Sequence, residues 1–198
     1  MKNKILMGLA TILMVAVLAS CGKKPQAEID AANAAIEAAK TAEAAVYVPE
    51  EFAALQDSLN TIMEEITAQD SKLFKNFGSA KEKLTSILTI ADQVTANAGT
   101  KKEETKAEVA NLLESIKPVI EENGKLIPKL PRGKEGAEVI EQIKADVATV
   151  DAAVVEAQGL FDNGSFMDAF NKIKAAKEKA DGLNAEVKEV LTKARIRF

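Results

Sequence analysis

The amino-acid sequence predicts an all-α protein, an elongated antiparallel helical bundle or set of coiled-coil hairpins with five or six helices. Three observations lead there. Ala, Glu, Lys, Leu and Ile dominate, Trp and His are absent, and Tyr47 is the single tyrosine, the bias of helix-forming chains. Apolar residues recur at alternating steps of three and four, the spacing of a helix face packed on another helix. Pro, Gly, Asn and Asp mostly gather between those runs, where helices start and stop.

The elements follow in chain order. Lys2 and Lys4 precede an apolar stretch from Ile5 to Val17, and Leu18-Ala19-Ser20-Cys21 comes next. The stretch has signal-peptide length and is too short, and wrongly flanked, for an ordinary membrane-spanning helix. Leu18, Ala19, Ser20 and Cys21 together resemble the lipobox of bacterial lipoproteins, matching at all four positions. The resemblance implies that signal peptidase II recognises Leu18, Ala19 and Ser20 and cuts after Ser20. It implies also that Cys21 carries a thioether-linked diacylglycerol and an N-acyl chain. Residues 1–20 are then a signal peptide and 21–26 a lipidated tether, with the membrane as first partner. One acyl chain holds a protein marginally, whereas two or three make a stable anchor. Gly22 stands where some bacteria use Asp to retain lipoproteins in the inner membrane, so the expected location is the cell envelope, outer membrane before inner.

Cys21 is the only cysteine. No disulfide framework exists, and after acylation no thiol remains for catalysis or metal. The chain carries 26 basic and 30 acidic side chains, a net charge of −4, and loss of Lys2 and Lys4 with the leader makes it more acidic still. Nucleic acid is thereby excluded as a partner, because phosphate binding needs a clustered basic surface.

From Ala27 to Val46 an alanine-rich helix places Ile29, Ala32, Ile36, Ala39 and Val46 on one stripe, whose small side chains allow close helix approach. Tyr47-Val48-Pro49-Glu50-Glu51 is a break followed by a helix start, since proline disfavours helix before it and suits the first turn after it. The next helix carries Phe52, Leu55, Leu59, Ile62 and Ile66. After Gln69-Asp70-Ser71, a third carries Leu73, Phe77, Ala80, Leu84, Ile87, Ala91, Val94 and Ala98, with Gly78 inside it. Residues 99–106 hold no apolar side chain larger than a methyl group and read as either a loop or a solvated helical turn. The stripe resumes with Val109, Leu112, Ile116 and Val119; Pro118 kinks the helix or crowds it near its end, and Asn123-Gly124 reads as its C-terminal stop.

Residues 125–136 contain Pro128, Pro131, Gly133 and Gly136 and read as a loop separating two parts. These are an N-terminal helical bundle part (27–124) and a C-terminal helical hairpin (137–198) packed on it. The hairpin has one helix with Ile140, Ile143, Val147, Val150, Val154, Ala157 and Phe161. Its second helix has Phe166, Ala169, Ile173, Ala176, Ala180, Leu183, Val187, Val190 and Ala194. The turn is Asp162-Asn163-Gly164-Ser165, with Ser165 as N-cap. Leu73, Phe77, Ala80, Ile87 and Val94 align with Phe166, Phe170, Ile173, Ala180 and Val187 at a constant offset. Internal duplication leaves such a pattern, and so does shared helical periodicity.

Candidate chemistry is sparse. Without histidine, acid–base work falls to Glu, Asp, Lys or Tyr, and the acids lie mostly on polar helix faces, so no catalytic residue is assigned and no enzyme is expected. Glu64 and Glu65 lack a metal-type partner, and Asp162, Asn163 and Asp168 lack the alternating ligands and closing Glu of a calcium loop. No metal site and no cofactor beyond the acyl chains is expected. Phe166-x-x-Ala169 resembles a tetratricopeptide turn, but no 34-residue period supports a solenoid. Lys23-Lys24 sits where headgroups are, while Lys101-Lys102 reads as solvated surface.

The alanine run followed by Tyr47-Val48-Pro49-Glu50-Glu51-Phe52 resembles an uncharacterised alanine-rich helical lipoprotein domain over about Pro25 to Ala98, with Val48 where that family usually has alanine. The resemblance implies a long hairpin and assigns no catalysis. The expected function is a non-enzymatic, membrane-anchored envelope lipoprotein that binds a protein partner or serves as a structural spacer. The alternative is a helical-bundle carrier or sensor for an apolar small molecule. An a/d seam closes within one chain or between two, so an oligomer is compatible with either.

Overall fold

A computed structural model describes residues 22–131 and 134–198, the side chains of 134–136 excepted. Six α-helices and one 3-10 turn occur among the described residues, and no strand. The all-α bundle class is therefore observed. The helices are α1 (Gln26–Thr41), α2 (Ala44–Tyr47), α3 (Pro49–Asp70), α4 (Gly78–Leu126), α5 (Lys134–Asp162) and α6 (Phe166–Lys193), with the 3-10 turn at Ile127–Lys129. The chain divides into two compact units, Met1–Thr100 and Lys101–Phe198.

In the first unit, α1 buries Ile29, Ala32, Ile36 and Ala39, four of the five stripe residues. The fifth, Val46, is exposed, because Glu43 adopts a left-handed conformation (φ 61) that ends the helix and starts α2 in a new direction. Tyr47 is buried in its place. Pro49 opens α3, as its fixed φ and missing N–H allow. Phe52, Leu55, Leu59, Ile62 and Ile66 are all buried along it. They form one apolar cluster with Phe77, Ala80, Leu84, Ile87, Ala91, Val94 and Ala98 of the following segment and with the α1 stripe.

The start of the third helix differs from expectation. Residues 71–77 form a turn, and α4 begins only at Gly78, whose N–H is accepted by Asn76 Oδ1 at 3.0 Å. Gly78 is therefore the helix start and no interior irregularity. Leu73, expected on the seam, is 90% exposed and Phe74 is 88% exposed, while Phe77 is fully buried. Adjacent apolar residues cannot share one narrow stripe, and the Asn76 side chain stabilises a helix start just beyond them. The apparent repeat weakens at the same place, since Leu73 is exposed where its counterpart Phe166 is partly buried.

Residues 99–106 are helical, within α4. Thr105 is buried there, its hydroxyl donating to the Lys101 carbonyl at 2.8 Å. The second unit's core joins Val109, Leu113 and Ile116 of α4 to Val150 and Ala157 of α5 and to Ala169, Ile173, Ala176, Ala180 and Leu183 of α6. Leu113 replaces the expected Leu112, and Leu191 replaces Val190 at the far end of α6. A 3.6-residue helix drifts against a strict seven-residue repeat, so long seams slip by one position.

The segment 125–136 is not a bare linker. Leu126, Ile127 and Leu130 are buried in a cluster with Ile143, Val187 and Leu191. The boundary between compact units falls instead between Thr100 and Lys101, inside α4. Proline and glycine punctuate the backbone, but three apolar side chains in five residues decide where that backbone packs. Between α5 and α6, the N–H of Gly164 (φ 82) bonds the Phe161 carbonyl and that of Ser165 bonds the Leu160 carbonyl. This is the paired closure of a helix C-terminus that favours glycine in the left-handed region. Ser165 occupies the N-cap position of α6 without a side-chain capping bond. The rings of Phe161 and Phe166 meet across this turn at 5.4 Å.

Candidate functional site

Leu18, Ala19, Ser20 and Cys21 lie outside the described residues, which begin one position later at Gly22. The residues that follow them are described. Gly22, Lys23 and Lys24 are exposed, and Pro25 is buried. The Pro25 carbonyl accepts the Ile29 N–H at 3.0 Å, so α1 starts directly behind Lys24. Glu28, in the first turn of α1, pairs with Lys81, in the first turn of α4, at 3.4 Å. Asp70, the last residue of α3, pairs with Lys75 at 2.6 Å. The hydrogen bond and charge of Lys75 hold its carboxyl below the usual carboxylate range, with a smaller contribution from Lys24. The starts of α1 and α4 and the end of α3 therefore share one end of the first unit, and residues 22–24 lead away from that end. Lys23, Lys24, Lys72 and Lys75 are all exposed there.

Elsewhere several acids pair with lysines. Glu65 pairs with Lys83 at 2.5 Å, Asp146 with Lys179 at 2.7 Å, and Glu156 with Lys172 at 2.9 Å. The hydrogen bond from Lys188, then that from Asn184, holds Glu122 below its ordinary range. Lys179 acts likewise on Asp146 and Lys193 on Glu189. A general base working near neutrality needs a carboxyl moved upward, and these move the other way. Asp162 accepts from Gln158 Nε2 at 2.8 Å and belongs to the turn. Among the described residues, no group of three or more His, Cys, Asp or Glu could hold a metal ion. No helix among them is long and apolar enough to cross a membrane.

Two features escaped the sequence reading. The first is a buried polar contact. Asn123, read as part of a helix stop, is 2% exposed and lies inside α4. Its Nδ2 donates to the Ala180 carbonyl at 3.1 Å, and its Oδ1 accepts from Asn184 Nδ2 at 2.8 Å. Asn184 also donates to Glu122 at 2.9 Å, and Glu122 pairs with Lys188 at 2.8 Å. The signal was present in the spacing, because Val109, Ile116 and Asn123 recur every seven residues and put the amide on the seam. Asn123→Ala removes two hydrogen bonds, to the Ala180 carbonyl and from the Asn184 amide, and should cost about 1–3 kcal/mol. A denaturant melt of the variant measures this; an unchanged midpoint would contradict the bond's role.

The second feature is a groove in the second unit, with a volume of about 430 Å³, lined by Ile127, Pro128, Ala137, Ile140, Glu141 and Lys144. Its apolar wall comes from Ile127 and Pro128 of the segment read as a loop and from Ala137 and Ile140 of α5.

No family model, no curated protein and no solved structure matches this chain.

Proposed function

We propose that the protein is a lipid-anchored lipoprotein of the bacterial cell envelope, without enzymatic activity, that holds a protein partner or spaces structures beside the membrane. The observation that carries this reading is Leu18-Ala19-Ser20-Cys21 following a charged start and an apolar run. Diacylglycerol on the Cys21 thiol and an acyl chain on its amine attach the chain to a bilayer, with the outer membrane favoured by Gly22. Helices with filled seams and lysine-paired acids support action by surface recognition. A carrier role for an apolar small molecule is the second reading. It is favoured by the groove beside Ile127 and Ile140, whose volume falls in the range of small-ligand sites.

One experiment separates the two. Crosslinking in living cells, followed by mass spectrometry of the purified protein, should yield a reproducible protein partner. An intact chain carrying one tightly held small molecule, and no partner, would replace the first reading with the second.

A further inference from the structure

We infer that the turn between α3 and α4 is a second membrane contact, with Leu73 and Phe74 entering the bilayer beside the lipid anchor. The inference rests on the anchored reading of Cys21 and adds to it a surface of the folded domain.

Leu73 and Phe74 are the two most exposed large apolar side chains among the described residues, at 90% and 88%. They are neighbours at the tip of one turn, and the same turn buries Phe77 completely. A chain that buries one of three nearby apolar residues and projects the other two has a reason to leave them out. Single exposed apolar residues need none, but an adjacent Leu-Phe pair at a tip is shaped for insertion.

Place and charge identify the occupant as lipid. The Glu28–Lys81 pair and the Asp70–Lys75 pair put residues 71–77 at the end of the first unit from which Lys23 and Lys24 lead to Cys21. Lys24 is close enough to Asp70 to act on its carboxyl. An acyl chain on Cys21 leaves only Gly22 to Lys24 between bilayer and α1, so this end faces the headgroups. The apolar pair is flanked by Lys72 and Lys75 and joined by Lys23 and Lys24, all exposed. Asp70 is already paired with Lys75. Lysines around an apolar tip suit a surface of anionic headgroups over hydrocarbon, each contributing electrostatic attraction near the surface. Anchor and tip together give two attachment points, which fix the orientation of the first unit where an acyl tether alone leaves it free to swing.

The chain has no tryptophan, so Phe74→Trp installs a single reporter at a solvated position. The one thiol is that of Cys21, so a chain produced without residues 1–20, and therefore never acylated, couples through it to maleimide-bearing lipid. Coupled to vesicles of phosphatidylglycerol and phosphatidylethanolamine, the Phe74→Trp chain should shift its emission to the blue and be quenched by acyl-brominated lipid. Val46→Trp, at an exposed position beside the start of α3 and so at the opposite end of the same unit from Asp70, should keep water-like emission. Unshifted, unquenched emission from Phe74→Trp overturns the inference, as does equal quenching of both reporters. Palmitate labelling in cells scores the anchor separately. An unlabelled chain that still inserts the Phe74→Trp indole after coupling loses the anchor and keeps the tip, and the reverse result loses the tip alone.

Discussion

Leu84→Asp should abolish cooperative folding of the first unit, while Leu73→Asp should leave its melt unchanged. The two leucines belong to one apolar series in the sequence, but Leu84 is 0% exposed and Leu73 is 90% exposed. Leu84 lies in the cluster that joins α3 to α4, among residues that include Leu59, Ile62 and Ile87. Removing a buried leucine side chain costs about 2–5 kcal/mol through lost burial and the space left behind. A carboxylate there adds several kcal/mol, because it either loses its hydration unpaired or is forced to take up a proton. The sum is comparable to the whole stability of a domain this size, about 5–15 kcal/mol. Ile62→Asp should act in the same way from the facing helix. Thermal melts by far-UV circular dichroism decide the matter; a Leu84→Asp protein that melts like the parent would refute the packing of α3 on α4.

Cys21→Ala should release the protein from the membrane fraction and abolish palmitate incorporation. Each buried methylene contributes about 0.8 kcal/mol to membrane attachment, and two or three chains on one residue hold where one does not. Nothing else among the described residues replaces that, since none of their helices could cross a bilayer. The Leu73-Phe74 tip adds only two side chains, so a trace of salt-sensitive association is expected to survive the substitution. Undiminished retention, with no palmitate in the parent protein either, would remove the anchor from the account.

Leu84 and Cys21 also mark two kinds of legibility. The proposal for Cys21 rests on linear order alone, Leu18, Ala19, Ser20 and Cys21, the form in which a processing enzyme would read it. The Leu84 seam was legible because an α-helix converts sequence spacing into a face with little help from the rest of the chain. Every α3 position expected on the seam is buried, as are all those expected in α4 between Ala80 and Ala98. Where backbone punctuation competed with packing, spacing alone was insufficient. Residues 99–106 are helix because a 49-residue α4 runs through them. The proline-rich segment contributes Leu126, Ile127 and Leu130 to a core instead of only linking two parts.

By itself, then, the sequence determined the helical class and most of the core, since both depend on a short repeating period. Only the tertiary structure decided which partners those faces found. It placed Asn123 against the Ala180 carbonyl, put the division between units at Thr100 and Lys101, and left Leu73 and Phe74 exposed beside the tether. Those outcomes depend on contacts between residues far apart in the chain, whose competition for burial and hydrogen bonds no local spacing encodes.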